Sequence, residues 1–307
     1  MMGYALRRLL GAIPTLFVIV TMAFFMMRMA PGGPFDSQRK LTPEVECNIK
    51  AAYDLDKPLT QQYLIYLGKV VHGDLGPSYK NKDFTVVQLI ATGLPVSARL
   101  GLSAMALALL FGTALGAAAA LNQNRWEDYS VMTIAMLGIT IPTFVTAPIL
   151  TLLLGIYAGL LPVGGWNGGA LANMILPVTV LALPQTAIVA RLMRGSLIEV
   201  LRTNYIRTAR AKGLPAHRIV LGHALRAAAL PLVSYLGPAL AAVLTGSLVV
   251  EQIFGLPGIG RYFVQGALNR DYTLVLGVVI CYATLIIALN FLADIAYGLL
   301  DPRVRLS

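Results

Sequence analysis

Residues Tyr129–Ala190 read YSVMTIAMLGITIPTFVTAPILTLLLGIYAGLLPVGGWNGGALANMILPVTVLALPQTAIVA, 62 residues without an Asp, Glu, Lys or Arg. A membrane helix needs about 20 mostly apolar residues, so this run is too long for one span. It is interrupted at Leu161–Gly169, LPVGGWNGG, where Gly, Pro and Asn mark a loop. Trp166 within that loop suits the headgroup level of a bilayer. The run therefore predicts two spans, about 129–158 and 174–194.

Outward from there, the other charge-free runs are Leu9–Met27 (19 residues), Leu100–Asn124 (25), Ala227–Val250 (24) and Tyr272–Ala293 (22). The sequence thus predicts an all-α polytopic membrane protein with six transmembrane helices, about 9–29, 98–122, 129–158, 174–194, 228–251 and 273–299. Barrel strands are short and alternate polar with apolar, whereas these runs are long, apolar on all sides and rich in Ala and Leu. Arg7 and Arg8 before the first run suggest a secretory signal, but the run exceeds a usual signal core and no small-x-small cleavage site follows. It is read as a true span.

Composition agrees. Of 307 residues, 57% are hydrophobic and 12% charged, about half the charge of an average soluble domain. That excludes a disordered chain, which needs low hydrophobicity and high charge. Two distant cysteines, Cys47 and Cys281, exclude a disulfide scaffold. No clustered Cys and His offer a zinc site.

Lys and Arg concentrate in short cytoplasmic loops. Arg7, Arg8, Arg125, the tail residues Arg303 and Arg305, and eight basic residues between Arg191 and Arg226 all fall on one side if both termini are cytoplasmic. Segment 31–95 then lies outside with seven basic and seven acidic residues, and segments of that length translocate largely regardless of charge. The net charge of +10 therefore orients the chain and meets anionic lipid or an acidic partner, and does not point to nucleic acid.

The organisation expected is a first span (1–30), a small helical extracytoplasmic segment (31–95) and a five-span core (96–307) with a cytoplasmic loop at 195–226. In 31–95, Thr42-Pro43-Glu44 reads as a helix start leading to Tyr53. A second helix, about Thr60–Val71, would place Tyr63, Leu64, Leu67 and Val70 or Val71 on one face and end at His72-Gly73. A third, near Phe84–Ala91, would stop at Gly93-Leu94-Pro95 before the second span. This cap either packs over the bundle or docks an external protein.

The loop 195–226 holds a helix ending at Gly213, with Lys212 near its C-terminus, then a turn at Leu214-Pro215. Ile206, Ala209 and Leu214 would form an apolar edge rimmed by Arg207, Arg210 and Lys212. Such an edge suits either a groove on another protein or an anionic lipid surface.

Tyr205-Ile206-Arg207-Thr208-Ala209-Arg210-Ala211-Lys212-Gly213-Leu214 resembles the coupling-loop motif of ABC importer permeases, Glu-Ala-Ala-x3-Gly in general form. Arg207, Thr208 and Ala209 stand at the Glu-Ala-Ala places and depart from them at the first two; Gly213 matches. This variant, with His223–Arg226 and Leu230-Pro231 after it, resembles the peptide branch, as do Phe24–Pro34, Gly73–Ser78 and Glu251–Gly260. The likeness runs over essentially the whole chain and is nearest to the B-type subunit of oligopeptide importers.

The resemblance implies a type I ABC importer permease fold in a bacterial cytoplasmic (inner) membrane. It implies a related second permease, two cytoplasmic ATPase subunits that carry ATP and Mg, and an extracytoplasmic peptide-binding protein. Membrane lipid surrounds the chain, and the chain itself is expected to bind no cofactor or metal and to have no catalytic residue. Tyr205–Arg210 with Lys212, Gly213 and Leu214 would couple to the ATPases. Because the family's fifth span borders the pore, Ser234, Tyr235, Thr245 and Ser247 are pathway candidates.

Other features read as structural. Gly255–Tyr262 echoes a phosphate-binding Gly-x4-Gly-Lys-Ser/Thr loop, but Arg261 and Tyr262 replace its Lys and hydroxyl and no strand precedes it. Its glycines fit a tight turn. His72, His217 and His223 do not cluster. Gly112 and Gly116 fit close helix packing. Asp294 lies near the inner end of the last span, where snorkelling to water is expected. The competing reading, a self-contained secondary transporter of small solutes, requires charged coupling residues at mid-membrane, and the runs lack them.

Overall fold

The computed structural model describes residues 2–29, 54–81 and 83–300. The helix expected at Thr42–Tyr53 lies outside the described residues. The long helices are α1 (Met2–Met29), α2 (Leu59–Val71), α3 (Val86–Leu121), α4 (Trp126–Thr140), α5 (Thr143–Leu150), α6 (Leu171–Leu201), α7 (Asn204–Ala211), α8 (Leu230–Phe254), α9 (Ile259–Leu268) and α10 (Tyr272–Leu300). Five are long and apolar enough to cross a membrane: α1, α3, α6, α8 and α10.

The expected span 129–158 is not a single rod. α4 and the run Thr143–Tyr157 meet at 104°. The break is local chemistry: Pro142 pushes the preceding Ile141 into extended backbone (φ −84°, ψ 117°). Counted as one broken span, the pair brings the total to six. Pro148 lies inside α5, and the chain continues as a π-helical turn, Thr151–Tyr157.

The break expected at Gly93-Leu94-Pro95 does not occur. α3 runs through it, so the outer segment and the second span are one helix. A capping box starts it: Gln88 N–H donates to Thr85 Oγ1 (3.2 Å) and Thr85 N–H to Gln88 Oε1 (2.9 Å). Gly93 serves packing instead: a Cβ there would lie 2.9 Å from the Tyr262 ring and 3.0 Å from the Ile259 nitrogen.

The core joins α3, α6 and α8 through Leu100, Leu176, Val180, Val243 and Phe254. Gly112 and Gly116 bring α3 onto α6. A Cβ at Gly116 would stand 2.4 Å from the Ala190 carbonyl oxygen, and one at Gly112 2.7 Å from Val189 Cβ. The packing reading of this pair holds.

α2 lies against α1 and α10. Phe24 stacks on Tyr66 with ring centroids 5.6 Å apart, and the hydroxyls of Thr21 and Tyr63 are 2.7 Å apart. The inward face is Tyr63, Tyr66, Leu67 and Val70; Leu64 and Val71, expected on it, are exposed. His72 caps the helix and Gly73 turns away at φ +77°, as expected.

Candidate functional site

The basic loop follows directly from α6, which extends past its expected end near 194 to Leu201. The same helix carries Arg194 to Asp128 at the start of α4. Arg194 donates from Nε to Oδ1 (2.5 Å) and from Nη2 to Oδ2 (2.6 Å), and the Asn124 N–H adds a third bond at 3.0 Å. Asp128 is fully buried. The fork fixes the end of the bundle from which the loop projects.

Within the loop, α7 is a short amphipathic helix. Ile206 and Ala209 are buried, but against Met193, Leu197, Ile219 and Ala224 of this same chain. Leu214 is half-buried at the rim of that cluster. The expected apolar docking edge is therefore already covered. What α7 exposes is Tyr205, Arg207, Thr208 and Arg210, with Lys212 just beyond. The reason is local: a helix of eight residues cannot bury its stripe alone, so it lies down on the nearest apolar surface of its own chain.

Gly213 ends α7 at φ +75°. Its N–H donates to the Arg210 carbonyl (2.9 Å), and Leu214 N–H to that of Ala209 (3.3 Å). Nothing lies within 4 Å of a Cβ built at Gly213. The glycine is needed for left-handed backbone, not for space.

After Pro215, three short helical pieces, Ala216–Arg218, Ile219–Ala224 and Leu225–Ala228, lead into α8. The span-five candidates on α8 separate. Ser234 is exposed, and Tyr235 donates its hydroxyl to Gln185 Oε1 on α6 at 2.7 Å. Thr245 returns its hydroxyl to the Ala241 carbonyl (2.9 Å), as helix-borne hydroxyls do. Ser247 is buried inside the chain, its hydroxyl shared between the Leu244 carbonyl and Glu251 Oε1, both in reach.

That carboxylate was missed in the sequence. Glu251 is fully buried at the opposite end of α8 from the loop. Oε1 accepts from Ser97 and Ser247 hydroxyls, both at 2.7 Å, and Oε2 from the Arg261 N–H at 3.2 Å. Ser97 Oγ in turn accepts from Ile259 N–H (2.9 Å), so one carboxylate joins α3, α8 and α9. It also explains the glycines after α8. Gly255 alone turns at φ +65°, whereas a Cβ at Gly258 would fall 2.2 Å from Glu251 Oε2. The tight-turn reading applies to Gly255; Gly258 makes room for the acid. The one signal available was an acidic residue closing an apolar run.

A second buried acid, Asp271, stands before α10. It accepts from the Ser78 hydroxyl (2.5 Å) and from the N–H groups of Tyr79 (3.1 Å), Lys80 (3.2 Å) and Leu274 (3.2 Å). It pins Pro77–Lys80 to the last span. At the other end, Asp294 does not simply reach water: Arg8 Nη2 lies 2.7 Å from its Oδ2, tying α1 to α10. Among the described residues no group of three metal-ligating side chains occurs.

Comparison with known proteins places this arrangement. Residues 112–306 match the family described as "binding-protein-dependent transport system inner membrane component", and residues 1–101 match its N-terminal family. The oligopeptide transport system permease proteins OppB of Haemophilus influenzae and Escherichia coli K12 are 53% and 54% identical to the chain over 305 residues, 99% of this chain and 100% of theirs. The dipeptide transport system permease protein DppB of Bacillus subtilis is 42% identical over 306 residues. Among solved structures, the MetNI methionine ABC transporter in inward-facing form matches with a TM-score of 0.58 at 17% identity, over 70% of this chain and 97% of that one, which supports the fold alone. The chain belongs to the family of binding-protein-dependent transport system inner membrane components, the permeases of ABC importers.

Proposed function

We propose that the chain is the translocating subunit of an ATP-driven importer that passes peptides, oligopeptides rather than dipeptides, from an extracytoplasmic binding protein into the cytoplasm. One observation carries this: identity to the oligopeptide permeases runs end to end at 53–54%, against 42% for the dipeptide permease of Bacillus subtilis. The excess of Lys and Arg on one side supports cytoplasmic termini and a cytoplasmic α7 loop.

In this reading ATP and Mg bind on two separate ATPase subunits, and a second permease completes the path. Tyr205, Arg207, Thr208, Arg210 and Lys212 form the face that meets the ATPase, matching a groove of acidic character. Ile206 and Ala209 carry the movement inward, because they are packed on α6 and on the pieces leading to α8. Leu214 and the left-handed Gly213 fix the angle of α7. ATP can shift the bundle only through contacts that differ between its two states, and α7 is where such contacts act. Ser234 and Tyr235 remain the pathway candidates of the fifth span; Thr245 and Ser247 serve the helix.

The test is purification of the tagged chain from its native membrane in mild detergent. A second permease and ATPase chains are expected to co-purify, with ATP hydrolysis raised by peptide-loaded binding protein. The double variant Arg207→Glu, Arg210→Glu should insert normally and retain less than about a tenth of the bound ATPase. Recovery of the chain alone, together with ion-driven peptide uptake in vesicles holding only this chain, would overturn the reading.

A further inference from the structure

Where α1 ends and α10 begins, the bundle holds a cavity of about 80 Å³ that none of the features above uses. It is roofed by α2, and its lining includes Phe24, Arg28, Gln62, Tyr66, Lys69 and Tyr272. The space admits a group the size of several waters.

Its polar content is unusual for a packing gap. The Arg28 guanidinium lies over two aromatic faces, 5.4 Å from the Phe24 ring centroid and 5.9 Å from that of Tyr272. Its Nε is buried without a hydrogen-bond partner. The Tyr66 hydroxyl is likewise buried and unpaired, on a side chain 9% exposed. Burial also pushes the Tyr66 phenol up, so it stays a neutral donor. Gln62, 8% exposed, donates its amide nitrogen to the Lys57 carbonyl (2.7 Å) and the Leu55 carbonyl (3.3 Å), which leaves its Oε1 buried and unmatched. Buried polar atoms are nearly always partnered; three in one cavity wait for a partner from outside the chain.

Charge and place narrow that partner. The lining holds two cations, Arg28 and Lys69, and the single carboxylate of Asp54, which pairs with Lys57 at 2.6 Å and with Lys69 at 3.8 Å, so Arg28 is the lining cation without a carboxylate among the described residues. A guanidinium and a phenol are donors matched to phosphate oxygens. Gln62 Oε1 asks for a donor on the same ligand, such as a headgroup hydroxyl or ammonium. Arg28 closes the last turn of the first span and Tyr272 opens the last one, which sets the cavity at headgroup depth, where Tyr and Arg gather.

We propose that this cavity binds a phosphate-bearing ligand, the glycerol- or ethanolamine-phosphate headgroup of a phospholipid, clamping α1 and α2 to α10. Its position in the outer leaflet rests on the topology above; the binding chemistry does not, and the test needs neither transport nor the partner subunits to be active.

The full chain, purified with whatever subunits stay bound and stripped of lipid by detergent exchange, is titrated by native mass spectrometry with phosphatidylglycerol, with inorganic phosphate and with diacylglycerol. Arg28→Gln should weaken phosphatidylglycerol about tenfold, and Tyr66→Phe, which keeps the ring stack, about threefold. Inorganic phosphate and diacylglycerol should bind weakly and alike in all three proteins. Phosphate alone binding with the same sensitivity to both variants would replace the lipid by a free anion and overturn the lipid assignment. Diacylglycerol binding as tightly as phosphatidylglycerol, or Tyr66→Phe and Arg28→Gln both binding like the parent, would overturn the site.

Discussion

The two ends of the bundle are fastened by different means. At the end that carries α2 and α9, two buried carboxylates gather donors from distant parts of the chain: Glu251 takes Ser97, Ser247 and Arg261 N–H, and Asp271 takes Ser78, Tyr79, Lys80 and Leu274. At the α7 end one fork, the buried Asp128 with Arg194 of α6, holds the frame, and Arg207, Arg210 and Lys212 stand in the open. A buried acid with several donors has one low-energy arrangement, so it fixes geometry. An exposed cation is held by water and is free to exchange it for a partner. The first end holds its own chain together, and the second leaves its charge exposed.

That contrast breaks if substitutions at the two ends have similar cost. Glu251→Ala is expected to have the largest effect, about 3 kcal/mol, because it leaves the Ser97 hydroxyl and the Arg261 backbone N–H unmatched in a closed site. Thermal unfolding in detergent measures it. Asp128→Ala comes next at about 2 kcal/mol, less than a fully enclosed pair, because the Arg194 side chain is 28% exposed and water partly replaces the acid. Gly213→Ala should cost about 1 kcal/mol from left-handed backbone alone, and should lower peptide-stimulated ATP hydrolysis while insertion stays normal. Arg207→Ala should stay within about 0.5 kcal/mol of the parent yet weaken ATPase recovery. Equal destabilisation by Arg207→Ala and Glu251→Ala would mean that α7 is a structural strut.

The smallest effect sharpens the comparison at an exposed pair. Lys57 beside Asp54, 2.6 Å away, holds the Asp54 carboxyl below its ordinary value of 3.8. A lowered folded value means the pair's contribution is fully present above the ordinary value and is lost as pH falls through the folded one. The difference in thermal midpoint between parent and Asp54→Asn should therefore be flat from neutral pH to about 5 and close only in stronger acid. A difference that closes near neutrality would show that the pair is not formed.

How far each region was legible depended on the range of its interactions. The long apolar runs fixed α1, α3, α6, α8 and α10, because the bilayer's thickness is a constraint every span meets alone. The bend at Ile141-Pro142 was present in the sequence as a proline, but proline also sits unbroken inside α3 and α6. The segment Tyr205–Leu214 is legible as a motif, and its burial is not: Ile206 and Ala209 read as a free apolar edge, whereas Leu197 and Ile219 cover them.

The sequence by itself determined that the chain is a polytopic helical membrane protein, that its basic residues gather in the loop 195–226, and which family its motifs resemble. These follow from hydropathy, charge placement and local spacing, all readable one segment at a time. Only the tertiary structure decided that Glu251 and Asp271 are shared acceptors, that Ser247 faces inward, that Gly258 makes room for a carboxylate, and that Arg28, Gln62 and Tyr66 meet in one cavity. The partners in those contacts lie up to 193 residues apart. No local pattern encodes such a pairing; it exists only once the helices have packed.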